Sequence, residues 1–104
     1  MTAEGGPSVA IAGGGIIGLA IAWRLAQERF RVTIYDKGPL GNEASWAGAG
    51  MLSPGGEIAG RSALASLAIQ SREMYPQFVR ELAAAAGLAI DYQECGALEL
   101  AYSP

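Results

Sequence analysis

The six residues Gly13-Gly14-Gly15-Ile16-Ile17-Gly18 constrain this chain of 104 residues more than any other stretch. They follow a short apolar run, Ser8 to Ala12, that reads as a strand buried on both faces. They open a segment, Ile16 to Phe30, that reads as a helix: Ile17, Ala20, Ile21, Trp23, Leu25 and Phe30 lie among small alanines. Arg31 to Asp36 is then a β-branched second strand, stopped by Lys37-Gly38-Pro39. Strand, glycine turn, helix and strand make a βαβ unit with parallel strands and a right-handed crossover.

A G-x-G-x-x-G match carries weight only in that context, and here the context is present. Gly13 serves the tight turn, Gly15 removes a Cβ where backbone must approach a pyrophosphate, and Gly18 brings helix and strand together, with Ala22 small one turn later. The helix start presents unpaired N–H groups and the positive end of its dipole to an anion. Asp36 ends the second strand, suited to accept hydrogen bonds from an adenosine ribose and to repel a 2′-phosphate. Lys37 beside it works against that repulsion.

Residues 38–60 hold seven Gly and two Pro and show no period, and a loop this long is usually functional. Its small residues from Ala47 to Gly50 expose backbone, and Ser45 offers a hydroxyl suited to a phosphate. Arg61 to Ala86 reads as a helix, with apolar positions at Leu64, Leu67, Ala68, Met74, Tyr75, Phe78, Val79 and Leu82. Pro76 should kink or restart it, and Gly87 should cap it. Leu88 to Tyr92 and Ala97 to Tyr102 read as two strands around Gln93-Glu94-Cys95-Gly96, a hairpin. Residues 1–7 read as a flexible leader.

About half the residues are apolar and the net charge is −3, with no basic stripe, which argues against nucleic acid or an anionic membrane as partner. The apolar run Val9 to Trp23 contains four Gly and lacks a cationic start, so it is no targeting or membrane segment. Lone Cys95 reads as a small buried hydrophobe, no histidine is available for a metal set, and a reduced cytoplasmic setting is expected.

The stretches VAIAGGGIIGLAIAWRLA, VTIYDK, EASWAGAGMLSP and SREMYPQFVRELAAAAGLAIDYQECGALELAYS together resemble the amino-terminal portion of the glycine oxidase-like members of the D-amino-acid oxidase-like group of FAD-dependent oxidoreductases. The resemblance implies a Rossmann-type α/β FAD-binding segment over residues 1–86. A substrate-domain β-sheet begins at 87–104, and the fold is incomplete within this chain. It implies FAD contacts at Gly13, Gly15, Ile16, Ile17, Gly18, Asp36, Lys37, Ser45 and Trp46, and along the backbone of Ala47, Gly48, Ala49, Gly50 and Met51. The implied activity oxidises the CH–NH2 group of glycine or another small amine, with oxygen as acceptor. An imine, a keto or aldehyde acid, ammonia and hydrogen peroxide follow, linked to thiamine biosynthesis. Substrate-binding residues would lie beyond residue 104, so this chain carries no catalytic residue and is expected to be inactive alone.

Other features have plainer explanations. Trp46 is better suited to anchoring the loop to the core than to covering a flavin, Trp23 to packing, and Met51 equally to a flavin contact or to filling a gap. Arg72 and Arg80, beside Glu73 and Glu81, belong to a solvated helix face. Asp36 departs from the group, where Glu is commoner. A nicotinamide-dependent dehydrogenase is the competing enzyme for the same βαβ unit, and an inactive nucleotide-binding fragment is the competing non-enzyme. Exposed strand edges would make the isolated chain marginally stable or self-associating.

Overall fold

The computed structural model describes residues 6–52, 62–98, 100 and 102. Five elements follow in order: β1 (Ser8–Ala12), α1 (Ile16–Gln27), β2 (Arg31–Tyr35), α2 (Ala44–Ala47) and α3 (Ala63–Ala86). They fall into two compact units, Met1–Gly50 and Met51–Pro104.

In the first unit β1 and β2 pair in parallel, from Ser8 opposite Arg31 to Ala12 opposite Tyr35. Arg31 donates to the Pro7 carbonyl at 3.0 Å, and Gly13 donates to the Tyr35 carbonyl at 2.8 Å, so backbone bonding continues past both ends of the ladder. Both strands alternate exposed and half-buried residues. Val9, Ile11, Val32 and Ile34 form the half-buried set, and Gly18 of α1 lies against Ile11. Expected burial of the first strand on both faces is therefore corrected. A single crossover helix covers one face of a two-stranded pair, and Ala10, Ala12, Thr33 and Tyr35 on the other are exposed.

α1 stops at Gln27, three residues short of the expected Phe30. Its end is closed by Arg29 in the left-handed region at φ 64°, with Phe30 donating to the Leu25 carbonyl at 3.0 Å. That six-residue loop-back is a Schellman closure, which usually recruits Gly; Arg29 fills the position here. No glycine or proline marks this stop, so periodicity alone runs past it.

In the second unit the Ser62 hydroxyl accepts the Ala65 N–H at 3.1 Å and starts α3. Gly87 ends it at φ 65°, with Leu88 donating to the Ala83 carbonyl at 3.3 Å. The expected glycine cap is present. The expected restart at Pro76 is absent, because the helix runs through Pro76 without a break. Proline removes one backbone donor, and the ten residues on its carboxyl side supply enough i→i−4 bonds to carry the helix on.

The expected hairpin is also corrected. Residues 88–98 form no strand, although Gly96 keeps a turn conformation at φ 74°; positions 99 and 101 lie outside the described residues. An isolated two-stranded hairpin is marginal without a further strand or helix over its apolar face, and Leu88, Ile90, Leu98, Leu100 and Tyr102 are all exposed. Tyr92 instead stacks on Tyr75 of α3 at 6.4 Å between ring centroids, and Tyr75 meets Phe78 edge-on at 5.9 Å. Among the described residues only Ala22 and Ala65 are buried hydrophobics. No helix among them is long and apolar enough to cross a membrane. The leader residues 1–5 and the loop residues 53–61 lie outside the described residues.

Candidate functional site

The glycine turn between β1 and α1 is held by the segment that follows β2. Gly14 donates its N–H to Oδ2 of Asp36 at 2.6 Å, and its carbonyl accepts the Gly41 N–H at 2.8 Å. The second Asp36 oxygen, Oδ1, accepts the Gly38 N–H at 3.0 Å. These two backbone donors, Gly14 first and then Gly38, hold the Asp36 carboxyl below the ordinary aspartate range. Gly14 is crowded by side chains of the following segment. A Cβ there would run into the Leu40 side chain and press on the Asp36 carboxylate at 3.2 Å.

α1 begins without a side-chain cap of its own, since its N-cap residue is Gly15. The cap arrives from 29 residues away: Oγ of Ser45 accepts the Ile16 N–H at 2.9 Å. A Cβ on Gly15 would sit 3.2 Å from that same oxygen, so a glycine here leaves room for the hydroxyl. Ile17 and Gly18 stand in the first helical turn, where N–H groups have no intrahelical acceptor. Gly13 turns the chain at φ 105° with open space around its missing Cβ. A Cβ on Gly18 would collide with the Gly13 carbonyl, so this glycine sets how closely helix and turn approach.

An open cleft of about 140 Å³ lies here, walled by Gly15, Asp36, Pro39, Gly41, Asn42, Glu43, Ala44 and Ser45. Three of these, Gly15, Asp36 and Ser45, are expected from sequence. Pro39, Gly41, Asn42, Glu43 and Ala44 are not, and the signal that could have found them is their position between Asp36 and Ser45. Lys37 is tied to Glu43 by an ion pair of 3.0 Å between exposed side chains.

The rest of the expected set is less gathered. Trp46 is 79% exposed, so the expectation that it anchors the loop to the core is not met; α2 is a single turn with no buried residue. Ala47, Gly48, Ala49 and Gly50 are exposed. Met51 opens the second unit and is 87% exposed, filling no gap. Trp23 is half-buried with the Arg24 guanidinium 5.7 Å from its ring centroid, and Arg72 and Arg80 lie on an exposed face as expected. Cys95 is exposed, against expectation, because no hairpin forms to cover it.

A glycine turn into a helix start whose only side-chain cap comes from distant Ser45, with a carboxylate at the end of the next parallel strand, is the pattern of a dinucleotide-binding βαβ unit. Residues 8–104 match the family described as FAD dependent oxidoreductase, and the chain belongs to that family. It is 46% identical over 93 residues to the glycine oxidase of Geobacillus kaustophilus, covering 89% of this chain and 25% of that one. Identity to the Bacillus subtilis glycine oxidase is 37% over 93 residues, again 89% of this chain and 25% of that one. The bifunctional protein ThiO/ThiG of a Synechocystis species is 40% identical over 92 residues, 86% of this chain and 14% of that protein. The chain thus spans about a quarter of the length of the glycine oxidases it matches. No solved structure matches it significantly. Of the two enzymes that fit the βαβ unit, this family is the flavin-dependent one.

Proposed function

We propose that this chain forms the adenosine- and pyrophosphate-binding part of a glycine oxidase-like enzyme. The observation that carries the proposal is the convergence of the Gly13–Gly18 turn, Asp36 and Ser45 in a chain matching glycine oxidases over 93 residues. The donor set suits the diphosphate half of FAD. The Ile17 and Gly18 N–H groups stand at the positive end of α1. A serine that accepts one hydrogen bond keeps its own O–H to donate, so Ser45 can cap α1 and bind a phosphate oxygen together. The Asp36 oxygens accept the Gly14 and Gly38 N–H groups, with a further backbone contribution from Lys37, and the carboxylate keeps acceptor capacity for a ribose hydroxyl. Like any aspartate it is an ionised acceptor throughout the neutral range, and the Gly14 and Gly38 N–H groups hold its carboxyl lower still.

When bound, FAD supplies the two-electron acceptor for oxidising an amine to an imine, with oxygen carrying those electrons on to hydrogen peroxide. In this proposal the imine of glycine or another small amine either hydrolyses, with loss of ammonia, or serves thiamine synthesis. The backbone from Ala47 to Met51 would run beside the flavin half, and Lys37 and Trp46 would border the cofactor. Residues 87–104 would begin the substrate domain. A reducing cytoplasm suits a chain with one cysteine.

The test is an absorbance spectrum of the chain after FAD is added and excess removed, read beside adenosine diphosphate binding by calorimetry. Retained flavin bands would support the whole site. Binding of the diphosphate alone would confine it to the adenosine half, and binding of neither would overturn the proposal.

A further inference from the structure

Two carboxylates, Asp36 and Glu43, line the cleft, and the role of Glu43 is not part of the proposed site. Lys37 follows Asp36 directly in the chain. A lysine beside a ribose-binding carboxylate is a ready partner for a 2′-phosphate, and its presence works against the rejection that Asp36 alone would give. Lys37 is not idle, however: its ammonium lies 3.0 Å from Oε1 of Glu43.

We infer that Glu43 is a specificity-determining residue. By pairing with Lys37 it withdraws that cation from the ribose end of the cleft, and so keeps the site selective for adenosine dinucleotides without a 2′-phosphate. This rests on the proposed nucleotide site. Two carboxylates, Asp36 and Glu43, then face one compensated cation, and a 2′-phosphate would enter a locality of net negative charge. Glu43 makes no side-chain cap to α2 and is 69% exposed, so changing its charge leaves the local fold in place. Its backbone carbonyl, which accepts from Trp46 and Ala47, is untouched by substitution of the side chain.

The experiment compares ADP-ribose with 2′-phospho-ADP-ribose by calorimetry on the full chain, in low and in high salt. In Glu43→Gln the preference for ADP-ribose should fall by roughly five-fold, the size expected when one exposed charge is removed and another freed. High salt should erase most of that change. Adding Lys37→Ala to Glu43→Gln should restore the native preference, because no free cation then remains. An unchanged preference in Glu43→Gln, with ADP-ribose still bound, would overturn the role of Glu43 alone. A native chain that binds no ADP-ribose would overturn the nucleotide site and this role together.

Discussion

The glycine turn and the long helix α3 are secured in opposite ways. The turn is fastened by bonds that cross 22 to 29 residues of sequence: Asp36 to Gly14, Gly41 to Gly14, and Ser45 to Ile16. α3 is secured by neighbours, with Ser62 three residues from Ala65 at one end and Gly87 four residues from Ala83 at the other. Its outward contacts are few: the stack of Tyr92 on Tyr75 reaches across the turn, while Leu64, Leu67 and Met74 are exposed. A region tied by distant bonds holds its geometry through each of them. A region tied locally is as stable as its own helix propensity allows.

That contrast can be sharpened or broken by substitution. The largest effect should come from Pro76→Ala, which returns a donor to the interior of α3. The helix should gain a large part of the ~3 kcal/mol separating Pro from Ala there, read as a higher midpoint in a circular dichroism melt. An unchanged midpoint would mean that tertiary packing, not propensity, sustains α3. Gly18→Ala attacks the other region. Its Cβ meets the Gly13 carbonyl, backbone that cannot swing aside, and overpacking of this kind costs about 2 kcal/mol. Urea denaturation would measure that loss, and Gly38→Ala, with open space around it, should show none.

Ser45→Ala removes a cap contributed from far along the chain and should cost about 1 kcal/mol, as a local cap does, whereas Ser45→Thr should keep most of it. Equal losses for Ser45→Ala and Ser45→Thr would show that the hydroxyl is not the holding group. The smallest effect is acid sensitivity at Asp36. Its pKa is lowered on folding, so its contribution is complete above the unfolded value and fades as pH falls through the folded one. The stability gap between the native chain and Asp36→Ala should therefore close in acid and stay constant at neutral pH. A gap that persisted in strong acid would deny that the ionised carboxylate is what counts.

The difference in fastening also decides what was legible beforehand. Glycines at 13, 15 and 18, the β-branched run to Tyr35 and the cap at Gly87 are written in residue types at short spacing, and the elements stand where those types put them. The end of α1 was not legible, because Arg29 occupies a conformation that ordinarily announces itself with glycine. Asp36 stands out in the sequence as a strand-end carboxylate, yet nothing in its surroundings marks it as the acceptor for Gly14, since a backbone N–H has no residue identity to notice. The failures lie where a segment needed a partner. The strand expected over Leu88 to Tyr92, the burial of Cys95 and the anchoring of Trp46 all presumed a surface to pack on. Periodicity reports that a face is apolar and says nothing of what covers it.

Both hydrogen-bonding groups of Gly14 are engaged by the chain itself, and the first donor of α1 is engaged as well. The peptide planes there cannot turn over freely, so a nucleotide bound as proposed would leave little conformational entropy to be surrendered at capture. The kinetic signature of such a pre-set receptor is encounter without a following rearrangement. The observed association rate of an adenosine dinucleotide should climb linearly with its concentration and reach no plateau.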